Sequence, residues 1–339
     1  MTSEGAGAKR ILSAVLGIAL SIGLLLWAMR GVNLADVGAR LRAAHTMPLF
    51  IATVIATATY PLRVFRWLLL LRRDDDGPLS AMPLWHAVAI GFMANNILPF
   101  RAGELVRVFA AARLTGSPFG TVLSSVAVER IFDGLAVVAL LAIGLIGSDL
   151  PAGVTVGGVS VARAAQTAGL LAGLALIAAM LVVAFPLAAE GLVRRALPTG
   201  RITDRIVSII EGIRLGLTAL RSPSRLAGVV CWSLVIWMLN AFAFYVAFAA
   251  FDIPVSYAGA LVLQGVLVVG ISVQFSPGFV GQFEAAIVAA LALYGVRNDV
   301  ASSYAIAYHT VTFLPIVLLG FWSLARSPVA IGDLRRTPA

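Results

Sequence analysis

This sequence predicts an all-α polytopic membrane protein. About six full transmembrane helices plus two re-entrant helical hairpins are expected in an inverted repeat, with N and C termini cytoplasmic. Three observations carry that prediction. The 339 residues are 60% hydrophobic and only 12% charged, with a mean hydropathy of +0.97, which no soluble domain matches. Apolar runs of bilayer-crossing length recur along the chain, without the strict alternation of a transmembrane barrel. Two stretches carry the same polar, Pro/Gly-broken signature within apolar sequence, one from Asn95-Asn96 to Glu104 and one from Gln274 to Glu284. Pro277 follows Pro99, and Gly281 follows Gly103, by the same 178 residues.

Residues 1–10 read as a cytoplasmic N-terminus ending in Lys9-Arg10. The run 11–29 is long for a signal peptide, and Arg30 follows it without a small-x-small cleavage site, so it is expected to be a retained helix. Runs at 47–71, 119–147, 166–188, 226–250 and 301–325 supply the other crossings. Regions 82–118 and 256–296 are apolar but broken by the paired motifs. Broken helices in a bilayer are tolerated where protein or a water-filled cavity surrounds them. Each region is therefore expected to enter and leave on one side, the first from the cytoplasm and the second from outside. The same offset carries 47–71 onto 225–249 and 119–147 onto 297–325. The expected organisation is one transmembrane domain over 11–325, with repeat 1 at about 47–147, repeat 2 at about 225–325, a cytoplasmic linker at 189–224 and a cytoplasmic tail at 326–339.

Arginine placement sets the orientation. Residues 189–225 hold seven arginines against three acids and read as inside. The Gly/Val-rich stretch 148–165 reads as outside. Arg30, Arg40 and Arg42 fall in a loop that this scheme places outside, against the rule. Within the linker, Ile202, Ile206, Ile209, Ile210, Ile213 and Leu217 recur at helical spacing and predict an amphipathic surface helix over 200–221.

Ionisable groups inside a membrane are expensive and mark function by default. Arg63 and Arg66 either snorkel to headgroups or face a polar interior. Arg101, Glu104 and Arg107 stand three residues apart, so Glu104 can pair with either arginine. The excess positive charge suits an anionic headgroup. Pro99 and Gly103 would break the first hairpin, with Asn95 and Asn96 capping backbone groups there. Glu129, Arg130 and Asp133 share one helix, with Arg101 or Arg107 as their complement. In the second half Pro277, Gly278 and Gly281 mark the break, Gln274 lies beside it, and Glu284 is its acid. His309, beside Tyr308, reads as a packed, hydrogen-bonded residue. Paired breaks in two halves of a chain point to a transporter's binding site.

Other classes are disfavoured. The single cysteine, Cys231, gives neither a disulfide framework nor a thiol metal site, and no His/Cys metal spacing is present. No nucleophile elbow, phosphate loop or HExxH motif appears, so an enzyme is not expected. Of 25 basic residues 24 are arginine and one is Lys9, but no basic run is interleaved with exposed aromatics, so nucleic acid is not an expected partner.

At these residues the chain resembles a known group. Asn95-x-x-x-Pro99-x-Arg101-x-Gly103-Glu104-x-x-Arg107, Glu129-Arg130-x-x-Asp133 and Pro277-Gly278-x-x-Gly281-x-x-Glu284 are similar to the flippase-like transmembrane domain of lysylphosphatidylglycerol synthase, as is Arg63-x-x-Arg66-Trp67. The likeness spans about 11–325. It implies an inner, bacterial cell membrane and movement of a polar, phosphate-bearing lipid between leaflets, with no cofactor. It implies functional positions at Arg101, Glu104, Arg107, Glu129, Arg130, Asp133 and Glu284. The chain ends at Ala339 without the synthase's soluble domain, so aminoacyl transfer is not expected. The alternatives are a membrane enzyme acting on a lipid phosphate or polyprenyl carrier, and an accessory subunit of a lipid or glycan biosynthesis enzyme. Besides the lipid, the expected partners are a second copy of the chain or such an enzyme.

Overall fold

The computed structural model describes residues 33–71, 79–98, 100–147, 186–196 and 223–329, pieces within 22–30 and 155–174, and positions 200 and 207. The helix expected at 200–221 and Pro99 lie outside the described residues, as do most of the runs 11–29 and 166–188.

The first half contains α1 (Leu34–Ala43), α2 (Thr46–Leu70), α3 (Ala81–Ile97), α4 (Ala102–Thr115) and α5 (Phe119–Gly147). A short α6 (Pro186–Ala196) follows. The second half contains α7 (Pro223–Phe248), α8 (Tyr257–Gly270), α9 (Gln282–Ala292) and α10 (Asn298–Arg326). A two-residue ladder pairing Thr155–Val156 with Val159–Ser160 is a small departure from the all-α expectation. Among the described helices, four are long and apolar enough to cross a membrane: those over Thr46–Leu70, Phe119–Gly147, Ser224–Phe251 and Asn298–Arg326.

The helix boundaries repeat. Shifted by 178, α2 would start at 224 and α5 at 297, each within one residue of the observed starts of α7 and α10. The packing repeats too. α3 lies against α4 and α10, and their counterparts α8 and α9 follow suit, with α8 against α9 and α5. The counterparts α2 and α7 pack along each other. Gly228 faces Leu69, Ser233 bonds Arg66 and Trp237 faces Arg63, so sequence numbers rise on one helix as they fall on the other. The corresponding helices α2 and α7 therefore run antiparallel.

Each half has its own apolar core. One gathers Trp67, Leu84, Val108 and Val122 from α2 to α5. The other gathers Phe248, Leu263, Ile287 and Tyr304 from α7 to α10. Leu140, Trp237 and Leu261 join the halves. The outer faces stay apolar, with Phe50, Ile143, Phe242 and Leu318 exposed, as a lipid-facing surface should be.

Candidate functional site: hairpin tips, ion cluster and central cavity

The α3–α4 hairpin closes tightly because glycine lets backbones touch. A Cβ on Gly103 would run into Gly91 and Asn95, and one on Gly91 would sit 2.5 Å from the Arg107 Cβ. At the tips, Phe100 and Arg101 have φ of 59° and 52°, and Gly278 and Phe279 have φ of 63° and 59°. These pairs correspond by the same 178 residues. Three of the four are not glycine, so each tip holds costly left-handed backbone.

The two tips meet. Gln274 Oε1 accepts from the Arg101 N–H at 2.8 Å. Its Nε2 donates to the carbonyls of Asn95 at 2.9 Å and Leu98 at 3.1 Å and to its own Ser276 carbonyl at 3.0 Å. Arg101 Nη2 donates to the Ile271 carbonyl at 3.0 Å. The Asn95 amide oxygen has no partner, which corrects the expectation that it caps the break. A glutamine from the opposite hairpin fills that role. Behind the second tip, Glu284 Oε2 accepts from the Gly281 N–H at 2.7 Å and fixes the start of α9. Glu284 Oε1 lies 2.6 Å from His309 Nδ1.

Beside the first hairpin, four helices contribute to a buried ion cluster. Arg66, fully buried, bonds Asp133 at 2.5 and 3.3 Å, Ser233 at 2.8 Å and Glu129 at 3.1 Å. Trp237 Nε1 donates to Asp133 at 2.8 Å. Arg107 forks onto Glu129 at 2.7 and 2.9 Å and lies 3.8 Å over the Trp67 ring. Arg130 reaches Glu129 at 2.9 Å, Asp133 at 3.4 Å and Glu104 at 3.7 Å. The Glu104–Arg107 pairing suggested by spacing is thus replaced. Arg107 turns inward to α5, while Glu104 stays at the half-open edge. Four arginines (63, 66, 107 and 130) face three carboxylates (104, 129 and 133), leaving one positive charge in excess.

That excess falls at Arg63. Its Nη1 is 3.8 Å from Asp133 and its Nε has no partner. Nε is also unpaired in Arg66, Arg107 and Arg130, but those side chains make shorter ion pairs. Arg63 is 6% exposed, so it does not snorkel. Its guanidinium faces the Phe92 and Trp237 rings at 5.2 and 5.5 Å. It also lines a cavity of about 210 Å³ between the halves. Asn96, Asn240, Gln264, Tyr308 and His309 line it as well. Gln264 is 1% exposed and neither of its amide atoms has a partner. Buried polar atoms rarely go unsatisfied.

The structure thus places the charged residues that sequence singled out in three groups. Arg63, Arg66, Glu104, Arg107, Glu129, Arg130 and Asp133 form the cluster; Arg101 and Gln274 join the tips. Asn96 and His309 line the cavity, with Glu284 bonded to His309 from behind. Trp237 and Ser233 complete the site without charge and carry no signal in the sequence, while Gln264 is legible only as a polar residue near Glu284. Among the described residues no group of three or more His, Cys, Asp or Glu side chains is placed to hold a metal.

Four helices long and apolar enough to cross a membrane, apolar outer faces and a buried ionic centre define an integral membrane protein. The chain belongs to the lysylphosphatidylglycerol synthase TM region family, whose family model matches residues 14–320. It is similar to a UPF0104 membrane protein of Methanothermobacter thermautotrophicus, 25% identical over 92% of each chain. It is also similar to the glycosyltransferase AglD of Haloferax volcanii, 28% identical over 83% of this chain. It spans about half the length of that relative, 49%.

Proposed function

We propose that this protein moves a polar, phosphate-bearing lipid between leaflets, the headgroup passing through the central cavity while the tails stay in the bilayer. In this reading α3–α4 and α8–α9 are re-entrant hairpins. Their lengths support it. Arms of 17, 14, 14 and 11 residues extend only ~16–25 Å at 1.5 Å per residue, short of the ~30 Å hydrocarbon core. A headgroup crossing bare hydrocarbon loses water without replacement. The cavity offers Arg63 for the phosphate and Gln264, Asn96 and Asn240 for its other polar atoms. The observation that carries the reading is the pair of buried, incompletely satisfied groups, Arg63 and Gln264, facing one cavity between inverted repeats.

Leaflet exchange of tail-labelled phosphatidylglycerol in proteoliposomes tests it. Exchange should exceed that of protein-free vesicles, and Arg63→Ala and Gln264→Leu should each slow it about tenfold, the effect of losing ~1.4 kcal/mol. Wild-type rates in both variants would remove the mechanism. A second reading is a membrane enzyme acting on a lipid phosphate or polyprenyl carrier, and the Haloferax relative is named a glycosyltransferase. Product formed from such a lipid in detergent, where no leaflets exist, favours that reading over transport.

A further inference from the structure

We propose that the central cavity is a site for one anion taken up together with one proton, the anion at Arg63 and the proton at Nε2 of His309. This rests on the reading of the cavity as the headgroup path and specifies what drives occupancy of that site. The argument begins at Glu284. An ionised carboxylate only accepts hydrogen bonds. One oxygen takes the Gly281 N–H at 2.7 Å; the other, 2.6 Å from His309 Nδ1, therefore holds the imidazole tautomer with its proton on Nδ1. The lone pair is left on Nε2. That nitrogen makes no hydrogen bond within the described residues, and the ring lines the cavity. Phe283 stacks on the ring at 4.2 Å and Phe313 meets it edge-on at 6.0 Å, fixing its orientation. The dyad has the geometry of an oriented base, with its orienting carboxylate outside the cavity lining.

The groups around the ring make the assignment selective. Lining residues come from α2 (Tyr60, Arg63), α3 (Asn96), α7 (Asn240), α8 (Gln264) and α10 (Tyr308, His309). From α9, Phe283 lines the cavity and Glu284 bonds the ring from behind. Among the described lining residues there is one imidazole and no carboxylate. Tyrosine stays neutral and arginine stays charged around neutral pH. Imidazole is the side chain that changes charge between about pH 5 and 8. An anion drawn to Arg63 and an imidazolium lining the same cavity stabilise each other in the low dielectric of the protein interior. The balance is simple: a proton given up by the buffered solvent joins Nε2, the Nδ1 proton stays on the Glu284 bond, and the bound anion and added proton bring no net charge to the site.

Isothermal titration of short-chain phosphatidylglycerol into the detergent-solubilised full chain tests this. Run at the alkaline end of the imidazole range in two buffers of different ionisation heat, it should show one proton taken up per anion bound. Affinity should fall about tenfold per pH unit on the alkaline side of that range, the slope of a single linked proton. His309→Gln should bind with the weak affinity that wild type shows at high pH, without a pH slope. No proton uptake by wild type, an unchanged slope in His309→Gln, or no binding at any pH overturns the proposal. The wild-type calorimetry decides even if the variant fails to fold. Leaflet exchange that persists without proton uptake would sink this inference and leave transport standing. Proton-linked binding without leaflet exchange would do the reverse.

Discussion

Arg63 and Arg66 stand three residues apart on α2 and meet different fates. Arg66 is fully buried and reaches two carboxylates and a hydroxyl. Arg63 touches Asp133 only at 3.8 Å and faces aromatic rings and the cavity. Breaking a buried ion pair by removing one partner strands the other charge and costs about 3–5 kcal/mol. Arg66→Ala should therefore lower the thermal stability of the solubilised protein sharply. Arg63→Ala should leave it nearly unchanged, because Asp133 keeps Arg66 and Arg130; equal losses of melting temperature would contradict this division of labour. Trp237→Phe should cost about 1–3 kcal/mol in the same assay, since it removes a donor from the buried Asp133 carboxylate and leaves that acceptor less satisfied. Sequence could single out the arginines because a charge in an apolar run is conspicuous. Trp237, Ser233 and Gln264 are ordinary in such runs, and only the placement of α7 and α8 gives them partners.

At the level of elements, the hairpins depend on each other. Gln274 from one tip satisfies the Arg101 N–H and two carbonyls of the other. Those backbone groups would otherwise be stranded at ~1–3 kcal/mol each when buried. Gln274→Leu should therefore part the tips, read as faster amide hydrogen exchange at Arg101 and in the flanking turns, with the long helices still protected. Exchange unchanged at Arg101 would show that the latch is incidental. Gly103→Ala acts within one hairpin. Its added methyl meets the Gly91 and Asn95 backbones, which cannot yield as a flexible side chain would, so the arms must splay and Arg107 must leave Glu129. The expected readout is a loss of thermal stability at least as large as that of Arg66→Ala. The breaks themselves were legible, because proline and glycine at one repeated offset are a local signal. Their partner was not, because the capping glutamine comes from 173 residues away along the chain. Local reasoning offered Asn95 instead.

Over the whole molecule, the packing scheme survives exchange of the two halves, and the equivalent helices α2 and α7 are antiparallel. Two physical requirements meet in that arrangement. Both faces of a bilayer present similar chemistry, so one fold unit used twice in opposite directions serves both. Polar, broken backbone is tolerated at membrane depth only where it is enclosed, and each tip here is enclosed partly by the other. The matched helix breaks were legible because they leave the same punctuation twice in the sequence; the cavity was not, because its lining comes from both halves at once. A topology follows. If the hairpins are re-entrant, Ser80 and Pro118, which flank the first, lie on one side of the membrane. Ser256 and Arg297, which flank the second, lie on the other. Single cysteines at these four positions, in a Cys231→Ser background because Cys231 is exposed, should react with an impermeant maleimide in two pairs from opposite faces of oriented vesicles. If Ser80→Cys and Ser256→Cys were labelled from the same face, the inverted arrangement would be lost. If Ser80→Cys and Pro118→Cys were labelled from different faces, the first hairpin would have to cross the membrane, and the enclosed path between the tips would no longer exist.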